Sequence, residues 1–293
     1  MGRLESDANN FGTRCSGLPF PPPAIGGRDW ALMGILNVTP DSFHDGGRYL
    51  TADMALARAR EMGDAGACII DIGGESTRPG AGKVSADEEL ERVLPVIEAV
   101  VSETDIPISI DTSKAEVARE ALKAGAKMVN DITALRGDDE MAAVVASAGC
   151  RVCLMHMQGE PGNMQKNPRY DDVVTEITAF FKERVEWAVA RGVLPENIIL
   201  DPGIGFGKKL EHNLAILRHF DRFLPLGLPL MIGASRKRFI GAIMGDDGTG
   251  ERLPGTIATN VIAYQNGARI FRVHDVAENC QALKVAAAVK AAK

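Results

Sequence analysis

The amino-acid sequence predicts a (β/α)8 barrel, in which eight parallel strands close into a cylinder surrounded by helices. After Trp30, eight short apolar runs alternate with longer segments of helical periodicity. The runs are continuously apolar, which is typical of strands buried on both faces of a parallel sheet. The 293-residue chain, less a polar N-terminal segment, also fits the typical barrel length of about 250 residues.

The predicted elements alternate as strand and helix along the chain. The eight strands are ALMGILNV, ACIIDIG, PISID, KMVNDI, RVCLMH, NIILDPG, LPLMIGAS and ARIFRVHD. An amphipathic or alanine-rich segment follows each strand: Thr51–Asp64, Asp87–Glu103, Lys114–Ala124, Asp139–Ala148, Asp171–Arg191, Glu211–Phe223, Thr256–Asn266 and Val276–Lys290. Residues 1–28 are polar and then rich in glycine and proline, so we predict a flexible extension before one barrel domain of residues 29–293.

The composition excludes several classes of protein. A net charge of −6 without a basic stripe argues against a nucleic-acid partner. No run approaches the ~18 apolar residues that a membrane span needs, and the N-terminus has no apolar signal-peptide core. Five cysteines, an odd number, fit a reducing compartment better than a disulfide framework. We therefore expect a cytoplasmic protein that binds a small molecule.

Three features have competing interpretations. The stretch DPGIGFGK, from Asp201 to Lys208, is not a nucleotide P-loop, because Gly203 is one residue too close to Gly207 and Lys209 replaces the required hydroxyl. Cys150 and Cys153 have C-x-x-C spacing, but no second pair or nearby His completes a zinc set, which favours buried structural thiols. A doubly wound open sheet is disfavoured because G-x-G-x-x-G is missing after the first strand.

Polar residues gather where the predicted strands end, at the face where barrels of this class carry their active sites. Any one of them could be a helix cap or a core hydrogen-bond partner, but a set in register indicates a site. In chain order they are Asn37, Asp71, Glu75, Asp111, Asn130, Asp131, His156, Asp201, Ser235, Arg236, Lys237, Arg272 and His274.

The types of these residues predict a ligand with two different ends. Asp111, Asn130 and Asp201, together with a lysine, suit a flat heterocycle whose amino-pyrimidine edge pairs with carboxylates. Cations cluster after strands seven and eight, where this fold commonly places phosphate: Arg236, Lys237, Arg272 and His274. The long loops NVTPDSFHDGGRYL and GGESTRPGAGKVSADEE are interpreted as lids, or else as ordinary solvated loops.

Eight stretches of the chain closely resemble dihydropteroate synthases, the folate-pathway enzymes that sulfonamides target. They are GILNVTPDSFHDGG, DIGGESTRPGA, ISIDTSK, VNDI, LMHMQG, DPGIGFGK, GASRKRFIG and RVHDV, in the family's order over residues 31 to about 280. The resemblance implies a (β/α)8 barrel that condenses 6-hydroxymethyl-7,8-dihydropterin pyrophosphate with 4-aminobenzoate, assisted by Mg²⁺. It also implies a homodimer.

The resemblance assigns roles to the site residues. Those implied for the pterin are Asp111, Asn130, Met155, Asp201, Gly205, Phe206 and Lys237. Those implied for the pyrophosphate are Asn37, Thr77, Arg272 and His274, with Asn37 at the metal. Those implied for 4-aminobenzoate are Phe43, Thr77, Arg78, Pro79, Phe206 and Ser235. Those implied for catalysis are Asp45, Asp111, Lys237, Arg272 and His274.

Two details and two alternatives accompany this interpretation. Ser235 is expected to open a helix whose N–H groups favour the aminobenzoate carboxylate. His44 stands where the family more often has Ser, which predicts either a tuned lid or an exposed bystander. The alternative functions are a pterin-dependent methyltransferase domain, which would not need the SRK and RVHDV cations, and a non-catalytic pterin-binding paralogue.

Overall fold

A computed structural model describes residues 29–38, 48–76, 82, 84–245 and 250–292, without the side chains of residues 48–51. Within these ranges the strands are β1 Ala31–Asn37, β2 Ile69–Gly73, β3 Ile108–Asp111, β4 Met128–Asp131, β5 Arg151–Met155, β6 Ile198–Asp201, β7 Met231–Ile232 and β8 Ile270–Val273. The α-helices are α1 Arg48–Asp64, α2 Ala86–Glu103, α3 Ala115–Lys123, α4 Met141–Ala148, α5 Val173–Val189, α6 Leu210–Arg218, α7 Arg238–Met244, α8 Leu253–Gln265 and α9 Val276–Ala291.

The eight strands form one parallel sheet that closes on itself. Their order is β6-β5-β4-β3-β2-β1-β8-β7, and a parallel bridge between Leu200 of β6 and Leu230, just before β7, joins the two ends. Every strand pair is parallel. The predicted (β/α)8 barrel is confirmed, and the open-sheet alternative is wrong. Residues 1–28 lie outside the described residues, so the predicted extension and domain boundary stay predictions.

The barrel interior is apolar in its lower part. Seven buried side chains pack together there: Met33, Ile69, Met128, Cys153, Ile199, Met231 and Ile270. Successive strand residues point to opposite faces, so the side chain two positions later also points inward. After Ile69 that side chain is Asp71, and after Ile270 it is Arg272. A polar layer therefore lies directly on the apolar one, towards the C-terminal ends of the strands.

Two local differences separate the predicted helices from the structure. Helix α7, Arg238–Met244, was not predicted, because seven residues make too few turns to show a helical period. The segment predicted as one helix over Glu211–Phe223 divides into α6 and the 3-10 helix Phe220–Leu226. The division falls at His219, whose φ of −114° and ψ of 30° leave the α-helical region. In the described part of the chain no helix is long and apolar enough to cross a membrane.

The C-x-x-C pair is structural, as predicted. Cys150 and Cys153 are both buried, and neither forms a disulfide. Cys150 belongs to the core between the barrel and the helices, whereas Cys153 points into the barrel. Because the two side chains lie in separate clusters on opposite sides of the barrel wall, their sulfur atoms do not share a disulfide or a metal ion.

The apolar layer inside the barrel gives a stability prediction. Met33 is fully buried there, whereas Met54 on α1 is 48% exposed. We expect Met33→Ala to lower the free energy of unfolding by about 3 kcal/mol, because it removes buried methylene groups and leaves a cavity. The matched change Met54→Ala is expected to cost less than about 1 kcal/mol. Urea denaturation of both variants measures this, and equal losses would contradict the assignment of Met33 to the core.

Candidate active site

The polar layer is organised around the guanidinium of Arg272. Its Nε donates to Oδ2 of Asp71 at 2.6 Å, and its Nη2 donates to Oδ2 of Asp111 at 2.6 Å. The amide nitrogen of Asn130 donates to the same Asp71 oxygen at 3.0 Å. Asp71 is fully buried and Asn130 nearly so. These contacts fix four side chains from β2, β3, β4 and β8 in one network.

The charges of this network perturb one another. Burial raises the pKa of Asp111 to about 7, and Asp71 adds to the rise, while the Arg272 guanidinium acts in the opposite direction. Burial lowers the pKa of Arg272, but Asp71 and Asp111 outweigh it, so the pKa is raised overall. Arg272 is therefore always charged, and Asp111 titrates near neutral pH.

The stretch DPGIGFGK forms a tight turn after β6 that presents the Asp201 carboxylate. Oδ1 of Asp201 accepts the backbone N–H of Gly203 at 2.8 Å. Gly203 has a φ of +68°, and a Cβ there would lie 2.0 Å from the carbonyl oxygen of His156, so only glycine fits. Burial raises the pKa of Asp201, and Lys237 gives the largest opposing effect. The turn presents a carboxylate, as the residue pattern predicted.

Lys237 meets this turn from the loop after β7, the strand that neighbours β6 where the barrel closes. Its Nζ donates to the carbonyl oxygen of Ile204 and lies 4.2 Å from the centre of the Phe206 ring. A Cβ on Gly205 would lie 3.1 Å from Cδ of Lys237, so the glycine permits the close approach. Burial lowers the pKa of Lys237 to about 8, against the effect of Asp201. Lys237, Asp201 and Phe206 are thus brought together, as predicted.

An apolar surface borders the polar layer above β5. Met155, the last residue of β5, is paired in register with Asp201. It packs in a small cluster with Ile132, Met157, Met164 and Phe206. A flat ring whose edge pairs with the carboxylates would have apolar side chains beside its face.

Ser235 and His274 are joined, but not as the sequence predicted. Ser235 Oγ accepts the backbone N–H of His274 at 3.2 Å and lies 2.9 Å from Nδ1 of its ring. The expectation that Ser235 opens a helix is wrong, because α7 begins at Arg238. Arg236, between Ser235 and the start of α7, has a left-handed φ of 57°, which interrupts helical geometry. Arg236 also makes two hydrogen bonds with Asp275, so its charge is already paired.

Three other strand-end residues have structural roles. Asp131 accepts the backbone N–H groups of Thr133 and Leu135, which makes it the cap of a turn. Glu75 forms an ion pair with Lys114 at 2.6 Å. His156 contacts the buried amine of Lys208. For these positions the structural interpretation of a single polar residue was the correct one.

Of the remaining predicted site residues, Asn37 is described by the structure and the six loop residues are not. Asn37 ends β1 with a half-buried side chain, and its carboxamide makes no hydrogen bond within the described part of the chain. In the same part no cluster of three or more His, Cys, Asp or Glu could hold a metal ion. Six residues of the two long loops lie outside the described residues: Phe43, His44, Asp45, Thr77, Arg78 and Pro79.

Two residues central to this geometry received no specific role from the sequence, although Asp71 was among the strand-end residues. Asp71 holds both Arg272 and Asn130, and its position two residues after Ile69 was the available signal for an inward side chain. Lys208 is 3% exposed at the end of the turn after β6. A lysine between glycines and an amphipathic helix resembles a surface residue, so nothing in the sequence marked it as buried.

The geometry is that of a barrel enzyme with a mouth built to bind a polar ring, and the comparisons identify the class. Residues 33–274 match the family model of pterin binding enzymes, so the chain belongs to that family. It is 50% identical over 277 residues to the dihydropteroate synthase of Synechocystis, which covers 92% of this chain and 96% of that protein. The predicted resemblance to dihydropteroate synthases is confirmed.

Solved structures of similar proteins agree. The dihydropteroate synthase of Yersinia pestis, in a sulfonamide drug complex, has a TM-score of 0.83 and 48% identity over 89% of this chain and 94% of that chain. The dihydropteroate synthase of Xanthomonas albilineans, in complex with 7,8-dihydropteroate, has a TM-score of 0.81 and 43% identity over 90% of this chain and 94% of that chain. The similarity thus covers about nine-tenths of this chain.

The ion pairs of Arg272 give a pH-dependent stability prediction. We expect Arg272→Met to lower the free energy of unfolding by about 3 kcal/mol at pH 8, because Asp71 and Asp111 lose their countercharge. Without the guanidinium, which lowers it, the pKa of Asp111 rises further in the folded state. The folded chain then binds protons more readily than the unfolded one, so the loss shrinks between pH 8 and 6.

Chemical denaturation at several pH values measures this effect. Arg238→Met is the matched control, because Arg238 is exposed at the start of α7. A loss for Arg272→Met that is independent of pH would contradict the electrostatic assignment.

Proposed function

We infer that this protein catalyses the dihydropteroate synthase reaction, a transfer step of folate biosynthesis. It condenses 6-hydroxymethyl-7,8-dihydropterin pyrophosphate with 4-aminobenzoate to give 7,8-dihydropteroate and pyrophosphate. The observation that carries this conclusion is the polar layer of Asp111, Asn130 and Asp201 at the barrel mouth, facing Lys237, in a chain half identical to dihydropteroate synthases.

The pterin is proposed to bind in this polar layer. Asp111 and Asp201 can accept the N–H groups of an amino-pyrimidine edge. The amide nitrogen of Asn130 is engaged with Asp71, which leaves its oxygen as a further acceptor for the ring. Lys237 supplies a donor, and Met155, Gly205 and Phe206 border the ring.

The pyrophosphate end is proposed to involve Asn37, Arg272 and His274, with Thr77 of the second loop. Asn37 offers one neutral amide oxygen, which fits Mg²⁺, an ion usually held by few protein groups together with water and substrate phosphates. When bound, Mg²⁺ would neutralise charge on the leaving pyrophosphate. Ser235 Oγ, which accepts the backbone N–H of His274 and lies 2.9 Å from Nδ1 of its ring, would orient the ring at this end.

The 4-aminobenzoate is proposed to bind outside the pterin, against Phe206 and Ser235. The first two strand-to-helix loops would complete this part of the site with Phe43, Thr77, Arg78 and Pro79. Since α7 begins beyond Ser235, the carboxylate of this substrate would be met by the Ser235 region rather than by a helix N-terminus.

The proposed reaction depends on charge stabilisation rather than on a strong base. Pyrophosphate leaves from a CH₂ group attached to an electron-rich ring, which spreads the positive charge that develops. Ionised Asp111, with Asp45 of the first loop, would stabilise that charge, and Arg272 and His274 would stabilise the leaving anion. An aromatic amine is neutral at pH 7, so the attacking nitrogen needs no prior deprotonation.

The homodimer and the cytoplasmic location also stay proposals. Five large apolar side chains on α7, α8 and α9 are at least 45% exposed, which supports an interface with a second copy: Ile243, Met244, Ile262, Val285 and Val289.

The direct test is product formation by the purified protein. We expect dihydropteroate and pyrophosphate from dihydropterin pyrophosphate, 4-aminobenzoate and Mg²⁺, followed by chromatography. Lys237→Ala and Arg272→Ala should each lower kcat/KM by about 100-fold, the effect of losing a charged group at a reacting centre. Arg238→Ala, at an exposed position, should retain activity. Tight pterin binding without product would favour the non-catalytic paralogue or the methyltransferase domain.

The pKa of Asp111 gives a second prediction for the wild-type protein. Because this pKa is about 7, much of Asp111 is protonated below neutral pH, and only the ionised form accepts two pterin N–H groups. Binding of 6-hydroxymethylpterin should therefore strengthen from pH 6 to pH 8 and release a proton at the lower pH. Calorimetry in buffers of different ionisation enthalpy measures the release. In Asp111→Asn the release should vanish, and its persistence would contradict the assignment.

A further inference from the structure

Lys208 carries a buried amine that the reaction does not use. It ends the turn after β6 and is 3% exposed. Its Nζ lies 3.0 Å from Nδ1 of His156, 3.3 Å from the His156 carbonyl oxygen and 3.0 Å from the Phe206 carbonyl oxygen. Burial lowers the pKa of His156 to about 2, so its ring is neutral at physiological pH.

These contacts match the donors of an ammonium ion. An ammonium has three N–H donors, and the two carbonyl oxygens and the unprotonated Nδ1 are three acceptors. The proton of the His156 ring then lies on Nε2. A neutral amine would instead have to accept a hydrogen bond from a protonated Nδ1 of His156.

We propose that Lys208 is a positioning residue for the pterin site, which as a buried ammonium ion fastens the turn after β6 to the loop after β5 and so fixes the Asp201 carboxylate. The inference rests on the proposed function for the identity of the ligand. The claim that Lys208 holds the turn and the Asp201 carboxylate in place does not depend on that function.

The turn is attached at both ends to the same backbone segment. At its start, the N–H of His156 donates to the Asp201 carbonyl oxygen at 2.9 Å. At its end, Lys208 reaches the carbonyl oxygen of that same His156. Between them the glycines lie flat on this segment, since a Cβ would approach the His156 oxygen to 2.0 Å at Gly203 and the Gln158 oxygen to 2.3 Å at Gly207. Lys208 therefore holds the second end of the turn against the His156 segment, and Asp201 lies at the first end.

The charge of Lys208 also acts on the Asp201 carboxyl. Burial raises the pKa of Asp201, and three cations lower it: Lys237 after β7, Lys208 after β6 and Arg272 on β8. From β5 and the loop after it, the neutral side chains of Cys153 and His156 add no charge near the Asp201 carboxyl. Burial lowers the pKa of Lys208 well below its usual value, and Lys237 adds to this fall, while the Asp201 carboxylate acts in the opposite direction and favours the ammonium form. Pairing with the amino-pyrimidine edge needs Asp201 ionised.

A titration of Asp201 separates this role from simple packing. Aspartate labelled with carbon-13 at the carboxyl is followed by NMR, and Asp201→Asn assigns the signal. In Lys208→Met we expect Asp201 to titrate at higher pH than in the wild type, because a buried countercharge is gone. Lys209→Met is the matched control, since Lys209 is the next residue and its side chain is 43% exposed. An unchanged titration in Lys208→Met would overturn the proposal.

Ligand binding gives the second measurement. We expect Lys208→Met to weaken binding of 6-hydroxymethylpterin at pH 7 about tenfold, while Lys209→Met binds as the wild type does. If Lys208→Met does not fold, Lys208→Gln, which keeps donors but no charge, should show the same shift of the Asp201 titration. Wild-type affinity in the uncharged variant would overturn the proposal. A wild type that neither binds pterin nor forms product would overturn the proposed function instead, since the titration does not depend on it.

Discussion

The candidate site depends on a buried ion-pair network in which Arg272 bridges Asp71 and Asp111 inside the barrel. Removing such charges from water costs several kcal/mol for each ion, and attraction offsets this cost only where geometry and hydrogen bonding are good. The two contacts of 2.6 Å and the Asn130 amide meet that condition for Asp71 Oδ2 and Asp111 Oδ2. Oδ1 of Asp71 has no hydrogen-bond partner among the described residues, so the network is satisfied on one side only.

The same need for buried charges to be paired extends to Asp201 and the two lysines near it. Three acidic side chains of the barrel mouth face three basic ones: Asp71, Asp111 and Asp201 face Arg272, Lys237 and Lys208. Such a balance allows carboxylates to stay ionised in a buried place, where they can pair with a ring that carries donors but no charge. Below this layer the apolar side chains around Met33 close the barrel, so a ligand that uses these carboxylates must enter from the C-terminal ends of the strands.

The sequence predicted the barrel and most of the ring of polar residues, because both follow from regular periods. The alternation of inward residues places Asp71, Asn130, Asp201 and Arg272 on one level without any knowledge of contacts. The hydrogen-bond and ion-pair partners of these side chains could not be predicted in this way. The sequence treated Arg272 and Arg236 as one phosphate-binding cluster, whereas Arg272 lies between carboxylates and Arg236 pairs with Asp275. Short α7 and buried Lys208 were missed because neither leaves a periodic signal.

The most direct measurement is a crystal structure of the protein with 6-hydroxymethylpterin. We expect the amino-pyrimidine edge within hydrogen-bond distance of Asp111, Asn130 and Asp201, with Lys237 on the ring's other side and the contact between Arg272 and Asp71 intact. A pterin bound elsewhere, or bound in the mouth only after Arg272 has left Asp71, would contradict the claim that this network is what shapes the site.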